Sequence, residues 1–120
     1  MVSIYIMTVT YIYHSCFLIE LADCSLLFDF YKDAPRGDGS AWIADYLLAK
    51  EQDLYVFCTH SHADHFNPLV LTWKKAKGNI HYIFSKELLE SGSVKENDAL
   101  FLKKGELFSD NRLSVKAFGS

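Results

Sequence analysis

The run "DLYVFC" (Asp53–Cys58) is short, almost wholly apolar, and ends directly on "THSHADHF" at 59–66. An apolar run of that length fits a strand buried on both faces. Behind it, three of the chain's five histidines and one aspartate fall within six positions: His60, His62, Asp64 and His65. Asn67 and Pro68 follow as an N-cap and first-turn pair, predicting a helix through about Lys75. The cluster therefore belongs on a loop at the C-terminal end of a strand, where α/β sheets commonly hold ligands.

The flanking segments fill in a sheet. The first thirty residues are rich in β-branched and aromatic types, which suit strands. Three strands are expected, roughly Ile4–Tyr11, Cys16–Leu21 and Ser25–Phe30, with "ADC" as a tight hairpin connection. "KDAPRGDGS" (Lys32–Ser40) gathers Pro, Gly and Asp and reads as a loop. Ser40 suits an N-cap, and the following helix would place Trp42, Ile43, Tyr46 and Leu47 on one face. "IHYIF" (Ile80–Phe84) is a further strand containing His81, which reads as a packed strand residue. Ser85 then suits the cap of a short helix, "KELLES", and the tail alternates strand-like pieces, "ALFLKK", "GELF" and "RLSVKAF". Three strands followed by helix–strand–helix–strand predict an α/β chain: a mixed sheet with helices packed on it.

Bulk properties narrow the partners. At 120 residues, the chain is enough for one modest domain and too short for two. Half of it is hydrophobic, which excludes disorder. A net charge of −3, with lysines scattered through "WKKAKG" and "LKKG", does not indicate a nucleic-acid partner. Cys16, Cys24 and Cys58 have no C-x-x-C spacing and read as small buried thiols. The opening "MVSIYIMTVTYIYH" lacks a basic leader and a small-residue cleavage site, and no apolar run reaches the ~18 residues of a membrane helix. A membrane partner is not expected, and the simplest compartment is the cytoplasm.

In locally extended chain, side chains two apart point the same way, so His60 and His62 can converge on one ion. Asp64 and His65 lie where the chain bends into the next helix and can face a second ion. Imidazole and carboxylate are good zinc ligands, and they also serve iron or manganese. The opposing reading is a solvated, metal-free cluster.

The order "HSHADH" resembles the H-x-H-x-D-H signature of the metallo-β-lactamase-fold hydrolases. The approach is similar too, with "YHSCFLIEL" and "LLFDF" preceding "LYVFCTH", and the chain looks most like the lactonase-like branch of small cytosolic members. The resemblance implies an αββα sandwich of two similar halves with a one- or two-metal site along one edge. A metal-bound hydroxide would then attack an ester, lactone, amide or phosphodiester bond of a small-molecule substrate. Carried over by position, His60 and His62 would bind the first metal and Asp64 and His65 the second, with Asp64 also the candidate catalytic residue. Asp29, at the end of "LLFD", matches the family's first-motif aspartate, which orients the histidine loop without touching metal. His14, at the turn in "YHS", is either a neighbour of the same site or an ordinary strand-end histidine.

Four ligands shared by two metals leave two each, whereas catalytic zinc normally has three protein ligands. The family supplies the rest from its second half, and after His81 this chain has no histidine. The resemblance thus implies the N-terminal half of a longer hydrolase: residues 1–120 as a single partial domain, weakly or partly occupied by zinc and inactive alone. The alternative is a non-catalytic half-domain that binds metal weakly or self-associates. Half a sandwich would leave an apolar sheet face open, which predicts a homodimer.

Overall fold

The structure is a computed structural model that describes residues 7–37, 39 and 41–118. Six strands form one sheet in chain order: β1 (Thr8–Tyr13), β2 (Cys16–Glu20), β3 (Cys24–Phe28), β4 (Asp53–Cys58), β5 (Ile80–Ser85) and β6 (Leu100–Leu102). The β1–β2 and β2–β3 pairs are antiparallel, while β3 through β6 run parallel. This is the expected α/β mixed sheet. A separate two-stranded antiparallel ribbon joins β7 (Leu107–Ser109) to β8 (Ser114–Lys116).

Parallel neighbours need long crossovers, and these carry the helices. Helix α1 (Ile43–Ala49) links β3 to β4, a 3-10 helix (Pro68–Lys75) links β4 to β5, and α2 (Lys86–Glu90) follows β5. They pack on one face, over a core that includes Leu18, Leu27, Leu47, Val56, Trp73, Phe84 and Leu88. Tyr55, Phe57 and Ile83 point to the other face, where Phe108, Leu113 and Val115 of the ribbon region cover them. β4 is buried along both faces from Leu54 to Cys58, as its apolar run requires.

Several local expectations shift. Residues 4–6 of the first predicted strand lie outside the described residues, and β1 begins at Thr8. Ser40 also lies outside them, and the N-cap position of α1 is Trp42, which makes no side-chain cap bond. Asp33 caps from a distance instead: its Oδ1 accepts from the amides of Ala34 at 2.9 Å and Ala44 at 3.1 Å. Placed before the helix proper, Trp42 is 52% exposed rather than packed on the inner face with Ile43 and Leu47. The segment after Asn67 and Pro68 is a 3-10 helix rather than an α-helix, although Asn67 accepts from the Leu69 amide as a cap should. The open apolar face is also only half open. The ribbon covers the β4–β5 part, while Val9, Tyr11 and Phe17 on the β1–β2 part remain 55%, 61% and 40% exposed.

Candidate functional site

Parallel pairing sets Cys58 of β4 beside Phe84 of β5, so the segments leaving those two strand ends are neighbours. The histidine loop leaves β4, and α2 leaves β5. Both ends of the loop are anchored in the core. Upstream, Cys58 is buried, and its thiol lies 3.1 Å from the carbonyl oxygen of His60 and 3.3 Å from that of His65. Burial pushes that thiol up to about 12, so it stays protonated and able to donate. Downstream, Phe66 is buried edge-to-face against Phe84, with ring centroids 5.7 Å apart.

Asp29 ties the loop to the sheet. It sits just past β3 at φ 51°, in the left-handed region where Asp is tolerated better than most residues. Its amide donates to the Phe57 carbonyl at 2.9 Å. That backbone turn aims the buried carboxylate across to Thr59, whose amide donates to Oδ1 at 2.7 Å and whose hydroxyl donates to Oδ2 at 2.8 Å. Oδ2 also lies 3.4 Å from Nδ1 of His65. That nitrogen is buried without a hydrogen-bond partner, the one such side-chain atom among the described residues.

The expected extended run through the histidines is interrupted. The chain bends at Ser61 and His62, and His65 donates its amide to the His62 carbonyl at 2.9 Å. A polar run that can close a turn at "HADH" does so because no strand pairs with it. The result draws His60 nearer to His65 than to His62, with ring centroids 4.8 Å and 6.2 Å apart. The three rings therefore form one group around His60 rather than two separated pairs. Asp64 is exposed at the rim, its Oδ1 3.9 Å from Nε2 of His65. His14, at φ 52° in the β1–β2 turn, makes its described ring contacts with Tyr13 and Tyr31.

Glu87 was not among the residues singled out from the sequence. It stands in the first turn of α2, where Ser85 caps by accepting from the Glu87 amide. Its Oε1 accepts from the Ser61 amide at 3.2 Å and the Ser61 hydroxyl at 2.8 Å, and its Oε2 lies 3.6 Å from Nδ1 of His60. Hydrogen bonds from Ser61 hold its carboxyl below the usual range. The signal that could have found it is topological: a residue just past β5 must adjoin the loop just past β4. Beside His60 an open pocket of about 340 Å³ has Phe28, Phe57 and Ile83 on its apolar side and Glu87, Lys104 and Lys116 among its polar residues.

Among the described residues no group of three or more His, Cys, Asp or Glu is arranged to hold a metal ion. The donors nonetheless fit a divalent ion in kind. Three neutral-capable imidazoles are gathered, and two of them have a carboxylate behind one ring nitrogen, the arrangement typical of metal-binding histidines. What is short is the number of donors converging on one point.

Among curated proteins none matches this chain. A solved structure that it resembles is that of Igni18, described as a novel metallo hydrolase from the hyperthermophilic archaeon Ignicoccus hospitalis KIN4/I. The TM-score is 0.58 at 21% identity, which is a likeness of fold. The match covers 86% of this chain but only 42% of that one. Residues 8–114 match the beta-lactamase superfamily domain, nearly the whole described chain. With its mixed sheet and its histidine loop on the sheet edge, this chain belongs to that superfamily.

Proposed function

We propose that the chain carries the metal-binding loop of a metal-dependent hydrolase, with His60, His62, Asp64 and His65 as the residues that would hold the ion. The observation that carries this reading is the tethered loop itself. Asp29 fixes Thr59 through two bonds, and the His60 ring lies 4.8 Å from that of His65 and 6.2 Å from that of His62. A divalent ion there, zinc first and manganese or iron as alternatives, would supply Lewis-acid charge and acidify water near neutral pH. The chain's own groups do the positioning: Asp29 sets the loop's entry, Phe66 its exit, and Asp64 offers a carboxylate at the solvent rim. The pocket beside His60 would give a small ester, lactone, amide or phosphodiester substrate an apolar side and a rim of mixed charge, Lys104 and Lys116 with Glu87.

Because so few donors converge, the 120-residue chain should take up zinc weakly and turn over little or nothing. Calorimetric titration with zinc or manganese tests this, beside hydrolysis assays on lactone, thioester and phosphodiester substrates. Weak binding that His62→Ala removes supports the reading. Zinc binding indifferent to His60→Ala and His62→Ala would refute the site, and robust turnover lost in His62→Ala would refute the expected inactivity.

A second reading rests on the exposed β1–β2 face. Val9, Tyr11 and Phe17 form an apolar patch, with Tyr11 and Phe17 in edge-to-face contact at 5.3 Å. Burying such a patch is worth roughly 25 cal/mol per Å² before association costs, which favours self-association into a homodimer. Light scattering coupled to size exclusion decides it, and a clean monomer at tens of micromolar would end the proposal.

A further inference from the structure

We propose that Glu87 is the positioning residue for His60, holding the Nδ1 edge of that ring so that Nε2 faces outward as the ligand-binding atom. The inference rests on the metal-loop reading for its purpose, but its geometry stands independently. Glu87 divides its carboxylate between two tasks. Oε1 takes both the amide and the hydroxyl of Ser61, the residue next to His60, and so fixes the backbone on which the ring hangs. Oε2 stands 3.6 Å from Nδ1 of His60, an ion-pair separation that is longer than a hydrogen bond. Carboxylate and ring are thus within ion-pair range, and a shift of a few tenths of an ångström would bring them to hydrogen-bond distance. Contacts at functional sites are often long before a ligand is present.

An imidazole that gives its Nδ1–H to a carboxylate keeps its lone pair on Nε2, and this fixes both tautomer and ring orientation. Asp29 stands in the same relation to His65, with Oδ2 3.4 Å from Nδ1. The two carboxylates come from different strand ends, Asp29 after β3 and Glu87 after β5, so they flank the loop that leaves β4 between them. The rings they face lie 4.8 Å apart. A simple loop clamp would need only the Ser61 bonds, and the second oxygen 3.6 Å from Nδ1 of His60 is the observation that goes further.

The test is nitrogen-15 NMR of the imidazoles in the metal-free chain, at a pH where histidine is neutral, with His81 as an internal marker of the fold. The wild-type chain should show His60 with its proton on Nδ1. Glu87→Ala should move His60 toward the Nε2–H form, while Glu87→Gln, which keeps an acceptor oxygen, should largely restore the wild-type pattern. Ser61→Ala should leave the His60 tautomer in place. An unchanged His60 in Glu87→Ala, or equal changes in Glu87→Ala and Ser61→Ala, would reduce Glu87 to a loop clamp and overturn the proposal. A zinc titration runs in parallel, with an expected ~10–100-fold loss of affinity in Glu87→Ala and less in Glu87→Gln. If the wild-type chain binds no zinc, the metal-loop reading fails, and the tautomer experiment still decides what Glu87 does.

Discussion

The two ends of β4 carry the same residue types and use them in opposite ways. At the N-terminal end, Asp53 receives Nε2 of His81 at 2.7 Å, the side-chain amide of Asn79 at 3.1 Å and the guanidinium of Arg112 at 2.9 Å. Next to it, the buried Tyr55 donates to Asp110 at 2.5 Å while its ring stacks on His81. These groups satisfy one another and fasten the β7–β8 ribbon to the sheet. At the C-terminal end, His65 has a buried nitrogen without a bond, and His62 and Asp64 are exposed. A histidine–carboxylate cluster whose valences are filled adds stability, whereas one whose valences stay open is free to take a ligand.

The most damaging test of this contrast is Asp29→Ala. It removes the two bonds to Thr59 and leaves alanine at φ 51°, so we expect about 3 kcal/mol of lost stability together with lost zinc binding. Urea denaturation measures the first, and wild-type stability in that variant would show that the loop is tethered elsewhere. Next come paired substitutions at the two ends. His62→Ala should weaken zinc binding at least ~10-fold while changing stability by less than about 0.5 kcal/mol. His81→Ala should leave zinc binding unchanged and lower stability by up to about 1 kcal/mol. If both variants behave alike in both measurements, the distinction between the ends collapses.

Much of this distinction is legible in the sequence alone. The buried strand, the loop behind it and the capped helix follow from "DLYVFC", "HSHADH" and Asn67–Pro68, because period, polarity and capping all agree there. Asp29 was legible by resemblance. The fastening of Asp53 to Arg112 was not, since it joins residues 59 apart in sequence and no local pattern marks such a pair. Nor is the tie between Ser61 and Glu87, whose carboxylate comes from the element after a neighbouring strand. Trp42 lies off the inner face because the helix starts at Ile43, two residues later than a cap at Ser40 implies.

Smaller effects sharpen the contrast further. Tyr55→Phe keeps the ring in the core and deletes only the hydroxyl, so a loss of about 1 kcal/mol should appear in urea, with zinc binding untouched. A loss several times larger would mean that the ribbon carries more of the fold than its contacts imply. The mildest test is acid. The Tyr55 hydroxyl holds the Asp110 carboxyl down, to about 2 from an ordinary 3.8. His81 lowers Asp53 in the same direction. A carboxylate lowered by folding stabilises above its unfolded value, and that contribution is lost as pH falls toward the folded one. Amide exchange in β7 and β8 should therefore quicken relative to β4 between about pH 4 and pH 2. Tyr55→Phe should blunt that response, and a ribbon equally protected at both pH values would refute the linkage.

Strand order in the main sheet is identical to chain order, β1 through β6. Each new strand therefore finds its partner already made when it leaves the ribosome, and the sheet can lengthen one edge at a time without waiting for later sequence. Loop-closure costs at every step stay near those of a single crossover, except for the ribbon, which must fold back over β4 and β5. Assembly should run from the β2–β3 hairpin outward and finish when Arg112 reaches Asp53. Pulse-labelled exchange during refolding would show β7 and β8 protected last, and their protection ahead of β3–β5 would contradict that sequence of events.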